Sequence, residues 1–162
     1  MGISPEANVA YLEAVLAKAK LGAQATAQAM ADYIADRVAN ETLTRRINPP
    51  GTYYKARPGE PPSYGSGTLA RSMYSTRASG GDERASAEAG SEDKRAHVFE
   101  FGSCLLGPTR GKHMGWKDSG GIWRHRSVLM ERHPFLEPTT EDAIDDGELR
   151  RIAIDAFREY DP

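Results

Sequence analysis

The sequence predicts an α+β fold in which a long N-terminal helix and a C-terminal helix pack on a small, mostly antiparallel sheet with extended loops. Three observations predict it. Apolar residues recur every three or four positions from residue 9 to residue 38, the period of a helix face rather than of a strand. A second such stripe closes the chain through Leu149, Ile152, Ala153, Ala156, Phe157 and Tyr160. Between the two, short apolar or alternating runs are separated by Gly and Pro, which mark turns and loops. All 162 residues, 17.7 kDa, read as one domain of ordinary size.

The first helix is predicted over residues 4–40. Ser4 suits the N-cap, Pro5 the first helical position and Glu6 the positive end of the dipole. Its stripe is Val9, Leu12, Leu16, Ala19, Ala23, Ala27, Met30, Ile34 and Val38. A helix of that length runs to ~50 Å, long for so small a domain. About half of it is expected to face the core and the remainder another subunit. The stripe is narrow and rich in alanine, so a partner backbone can approach closely. Gly22 is the one weak point, where the helix has room to bend or break.

Residues 48–67 change character. Pro49, Pro50, Gly51, Pro58, Gly59, Pro61, Pro62, Gly65 and Gly67 exclude regular structure, and Tyr53, Tyr54, Tyr64, Lys55 and Arg57 are interleaved. The segment reads as a stiff extended arm or as a long surface loop. The span 68–104 is expected to hold the small sheet. Thr68 caps a helical turn over 69–73, a strand runs over 73–77, Ser79-Gly80-Gly81-Asp82 turns, and 84–89 returns. Residues 96–101, Ala-His-Val-Phe-Glu-Phe, are the most apolar stretch of the middle and stop at Gly102.

An excursion follows over residues 105–127. Trp116 and Trp123 flank Asp118-Ser119-Gly120-Gly121, which reads as a hairpin tip, with Lys117, Arg124 and Arg126 close by. Exposed Trp and Arg together form interface hot spots; the other reading tucks both tryptophans onto the core. The last segment, residues 133–160, opens with an extended plug, His133-Pro134-Phe135-Leu136-Glu137-Pro138, before a helix from residue 139. Gly147 is expected to split or kink that helix.

Composition narrows the function classes. Aromatics make up 8% of the chain and the mean hydropathy is −0.60, so the apolar supply is modest and arms that order on assembly are expected. The lone Cys104 excludes an internal disulfide framework. The N-terminus does not read as a signal peptide, and no window approaches the ~20 apolar residues of a membrane span. A cytoplasm is the expected place of synthesis and use, unless the protein is carried out of it inside a particle.

The net charge is −2, but it is unevenly spread. Residues 41–77 and 110–133 each hold six basic residues against two acids, whereas 137–162 holds nine acids against three arginines. These are solvated faces, or an acidic face that meets a neighbour's basic one in a head-to-tail contact. His97, His113, His125 and His133 lack the spacing of a zinc site, and no phosphate-binding Gly-rich motif occurs. No metal, cofactor or catalytic set is expected, and the chain does not read as an enzyme. Basic and aromatic residues do mix, as in single-strand binders, but the basic runs are short and the chain is acidic.

Three segments carry a resemblance. The first is Arg57-Pro58-Gly59-Glu60-Pro61-Pro62 followed by Gly67-Thr68-Leu69-Ala70-Arg71-Ser72-Met73. The second is Ala96-His97-Val98-Phe99-Glu100-Phe101-Gly102-Ser103, and the third His133-Pro134-Phe135-Leu136-Glu137-Pro138-Thr139. In this order, between two helices, the set resembles the head–tail joining (neck, or tail-completion) proteins of long-tailed phages, to which minor tail protein Z of phage lambda is distantly related. Departures are Ser66 and Ser103 where that family has threonine, Arg95 where tyrosine is common, and the long excursion.

The motif residues have physical readings as well. Gly67 permits a tight turn into the short helix, inside which Leu69 and Met73 pack, with Ser72 beside them. Glu100, the only carboxylate of its run, accepts backbone amides or, alternatively, serves as an acid. Phe99, Phe101, Phe135 and Leu136 are expected to form one cluster. Tyr53, Tyr54, Arg57, Trp116, Trp123, Arg124 and Arg126 are the candidate subunit or partner contacts.

The resemblance implies a structural virion protein. It would form a ring with copies of itself, six-fold like the tail, between the head-closure (stopper) ring or connector and the tail terminator or tail tube protein. DNA would pass the lumen without specific binding, and no membrane would be involved. A tail-terminator ring is the nearest alternative, and a small nucleic-acid-binding accessory protein is the alternative from another class.

Overall fold

The computed structural model describes residues 5–44, 56–63, 67–80, 84–102, 105–106, 114–118, 121–125, 128–129 and 131–160. The fold is α+β, as expected, with helices packed on short antiparallel strand pairs. Helix α1, Pro5–Arg37, starts at its proline; the expected cap, Ser4, lies outside the described residues. It is one helix through Gly22, with no break at that weak point. The reason is packing. A Cβ on Gly22 would come within 2.9 Å of Phe157 Cε2, so the missing side chain is what lets the C-terminal helix close on α1. The stripe then divides at that point. Val9, Leu12 and Leu16 are exposed, whereas Ile34 and Val38 are buried.

After Arg37 the helix continues as a π-helical turn, Val38–Leu43. Its i→i+5 pattern brings residue 43 back under residue 38, and both side chains are buried in the core. Thr42 meets Thr139 through their hydroxyls at 2.8 Å, and the Thr44 hydroxyl donates to the Ala39 carbonyl.

Gly67, at φ +63°, precedes helix α2, Thr68–Arg71. Thr68 is therefore the first helical residue and not the expected cap; the left-handed backbone that glycine tolerates makes the entry. Leu69 is buried, and Met73 packs against the core as expected. The Ser72 hydroxyl donates to the Leu69 carbonyl and lies 2.7 Å from that of Ser91. Strand β1, Met73–Ser75, pairs antiparallel with β4, Ala89–Ser91, and β2, Ser79–Gly80, with β3, Ala85–Ser86. Three residues on one side oppose two on the other between these pairs, so the expected single hairpin is broken by a bulge.

The sheet ends at Ser91. Within the span 68–104 expected to be sheet, Ala96–Phe101 is instead helix α3. Asp93 starts it, its carboxylate accepting the Arg95 N–H and its carbonyl that of Ala96. Further on, β5 (Leu105–Leu106) pairs with β8 (Val128–Leu129), and β6 (Met114–Asp118) with β7 (Gly121–His125). Asp118 opposes Gly121, which agrees with the expected hairpin tip.

Helix α4 is Leu136–Asp145 and begins three residues earlier than expected. Pro138 falls in its first turn, where a missing N–H breaks no helical bond. Gly147, at φ +77°, splits it from α5, Glu148–Arg158, as expected. Helix α5 runs antiparallel to α1, since Gly22 meets Phe157 while Arg37 meets Asp146. The core joins Ile34, Val38, Leu43, Leu69, Ala96, Phe135, Ala143 and Leu149.

Candidate functional site

The three motif segments, far apart in sequence, meet at one junction. Its centre is Glu100, which is 6% exposed on α3. One carboxylate oxygen accepts the N–H groups of Phe135 and Leu136 at 2.9 and 3.0 Å, and the other accepts that of Glu137 at 2.8 Å. These donors stand at the start of α4, where N–H groups lack helical partners and the dipole favours an anion. The acceptor reading of Glu100 is what the geometry displays; both oxygens are engaged by backbone.

Gly102 sits at φ +63°, and a Cβ there would lie 2.7 Å from the Arg132 nitrogen. The segment before α4 therefore passes directly over it. The Arg132 guanidinium donates to the Glu100 carbonyl at 2.9 Å and pairs with Glu137. The His133 N–H donates to the Phe99 carbonyl at 2.7 Å.

The first motif joins the same place. The Glu60 N–H donates to the Arg57 carbonyl at 3.0 Å, with Pro58 at the second turn position and Gly59, φ +83°, at the third. Those are the residues a type II turn takes. The Gly59 N–H donates to the Arg132 carbonyl, and His133 Nδ1 lies 3.0 Å from the Glu60 carbonyl oxygen. Within the segment read as an extended arm or a surface loop, residues 57–60 thus form a docked turn, and Pro62 just after it is buried.

One motif residue is not where the sequence placed it. Phe101 is 73% exposed, outside the expected aromatic cluster, whereas Phe135 is buried and Phe99 and Leu136 pack against the core. On a strand residues 99 and 101 would share a face; on helix α3 they point roughly 200° apart. Pro134 is buried and Pro138 half-buried beside them.

Of the candidate contact residues, Tyr53, Tyr54 and Arg126 lie outside the described residues, and Arg57 is exposed at its turn. Trp116 lies on β6, and Trp123 and Arg124 on β7, with the two tryptophans directly opposite in register. His97 is exposed, Cys104 and His113 lie outside the described residues, and no cluster of metal-ligating side chains occurs among the described residues.

Two features had no reading in the sequence. One is an ion pair from the end of α1 to the α4–α5 corner. Arg37 Nη1 donates to Asp146 Oδ2 at 2.8 Å and to the Tyr33 hydroxyl at 2.9 Å. The Asp146 carboxylate holds the Arg37 pKa above its ordinary value. The Glu148 N–H, and then Arg37, hold the Asp146 pKa below its own. The other is an open apolar groove of about 760 Å³ between α1, the β3–β4 segment, α4 and α5. Both depend on which helices become neighbours, and no local pattern states that.

No described helix is long and apolar enough to cross a membrane. Comparison with known proteins returns no matching family model, no similar curated protein and no similar solved structure.

Proposed function

We propose that this chain is a structural subunit of a tailed bacteriophage, one copy of a neck ring that joins the DNA-filled head to the tail. The observation that carries the reading is the junction: the three segments that resemble the head–tail joining proteins bind one another through Glu100, Gly102, Arg132 and His133. A second observation fits a subunit rather than a solitary protein. The outer half of α1 presents Val9, Leu12 and Leu16 to solvent on the stripe that farther along forms the core. The action is mechanical and interfacial; subunits interlock, the lumen passes DNA, and no bond is made or broken. The ring is six-fold like the tail, with a head-closure ring on one side and the tail terminator or tail tube on the other. The protein is made in the host cytoplasm and ends in the virion.

Light scattering on the purified protein, alone and with detached phage tails, tests the reading. The expected result is a closed ring on the tails. A chain that ignores tails at every concentration, yet retards DNA at low salt and releases it as salt rises, overturns it in favour of a nucleic-acid-binding role. Recovery with tails that lack heads places the ring at the tail end instead.

A further inference from the structure

We infer that the outer half of α1 of one copy lies in the apolar groove beside the inner half of α1 of the next copy, so that a staggered helix contact links the ring head-to-tail. The inference rests on the ring reading above and names the two surfaces that meet.

The two surfaces share one face of α1. Positions 9, 12, 16 and 19, and then 23, 27, 30 and 34, follow one another at helical spacing. The first set is uncovered. Val9, Leu12 and Leu16 are each more than half exposed, and no described side chain of α1 before Gly22 is buried. The second set lines the groove, together with residues of the β3–β4 segment, α4 and α5. A helical segment as short as the outer half is marginal in water unless an apolar face packs on something. Its own groove is out of reach. Helix α1 is unbroken from Pro5 to Arg37, so positions 12 and 27 are held about 22 Å apart along its axis.

The groove fits this occupant in chemistry and in shape. None of its described lining residues is charged, and the hydroxyls of Thr26 and Thr140 already donate to the Ala153 and Leu136 carbonyls. A charged or strongly polar ligand would lose its hydration there with little in return, so the occupant is apolar. Six of the lining residues are alanines, three on α1 and three within residues 85–89, and they leave an open volume of about 760 Å³. The outer half of the same stripe carries the opposite sizes, Val9, Leu12 and Leu16. Large side chains set over small ones are what lets two helices interdigitate at close approach. Area then separates a ring from a pair. Three or four turns of helix offer a face ~20 Å long and ~10 Å wide, short of the roughly 800 Å² per partner of a standard interface. A single contact of this kind holds two copies weakly. In a ring every copy makes two, one with its outer half and one with its groove, and contacts between unlike surfaces close in this way. Two outer halves paired with each other would stop at two copies and leave both grooves empty.

The test is photo-crosslinking from Leu12→benzoylphenylalanine in mixed light and heavy-isotope copies, at high concentration and on detached tails. Crosslinks are expected to join a light copy to a heavy one at residues 23–34, residues 85–89, α4 or α5. Two variants read the same contact by sedimentation and mass photometry. Ala27→Leu, which fills the groove, is expected to weaken association about ten-fold. Leu12→Gln with Leu16→Gln strips the ridge and is expected to weaken it about a hundred-fold. Both leucines are exposed, so this second variant folds as the wild type does and its dilute thermal midpoint is unchanged. Rings that crosslink from position 12 to a second outer half, to a tail protein or within one copy overturn the groove contact and leave the ring standing. Rings that form with unchanged affinity when the ridge is stripped do the same. A chain that stays monomeric at all concentrations and with detached tails overturns both readings.

Discussion

Glu100 anchors three backbone donors with two oxygens, and its energetics follow from which of them a substitute can still satisfy. Glu100→Gln keeps the shape, removes the charge from the helix start, and turns an NH2 group toward N–H donors. One or two buried donors lose their acceptor, so the variant should be less stable by about 2–3 kcal/mol. A lower urea midpoint at unchanged slope is the expected reading. Gly102→Ala adds only a methyl group, but it meets the Arg132 backbone at 2.7 Å and forces an L-residue to φ +63°. A cost of about 1–3 kcal/mol follows, despite the mildness of the change. At the α4–α5 corner the effect is one of pH. Asp146 has a folded pKa below its ordinary 3.8, so its contribution is present above that value and is lost as pH falls below it. Asp146→Asn should flatten this acid limb of the stability curve, and thermal melts between pH 5 and roughly pH 2 would register it.

Among the elements, α1 was legible because a stripe of nine apolar positions needs no tertiary context to be recognised, and the α4–α5 break was legible in Gly147. The π turn was not, because the pairing of Val38 with Leu43 answers to the core they enter and not to a local signal. Helix α3 was missed for a related reason. Ala96, Val98 and Glu100 are buried in alternation, as in a strand, while hydrogen bonds from Phe99 to Arg95 and from Gly102 to Val98 close helical turns. The early start of α4 was hidden by Pro138, which reads as a barrier unless it occupies the first turn. Of the junction, the acceptor role of Glu100 was legible from its isolation among apolar residues; its partners, 35 and more positions away, were not. Gly147→Ala should cost about 1 kcal/mol, because its φ of +77° disfavours any Cβ even though no atom lies within 4 Å. Gly147→Asn, which tolerates that backbone better, should recover part of it, as read by the thermal midpoint.

At the scale of the whole molecule the described apolar residues divide between a core and an exposed surface. Among the described residues eight buried side chains form the core cluster, yet Val9, Leu12, Leu16, Phe101 and Ile144 are each more than half exposed. On the proposed ring reading neighbouring copies cover that surface, and association then adds to folding by mass action. At a hundred times the dissociation constant the gain is about 2.7 kcal/mol. For a chain of this size that corresponds to about 5–10 °C in thermal midpoint. The midpoint should therefore rise with protein concentration, in a calorimetric series that spans the onset of association. Leu12→Gln with Leu16→Gln tests whether the bare half of α1 is one source of the gain. Leu12 and Leu16 are 58% and 67% exposed, so the dilute midpoint should hold steady while the rise with concentration shrinks. A wild-type midpoint that is flat across the series would mean that copies of this chain do not cover one another, and that the apolar half of α1 serves a different protein.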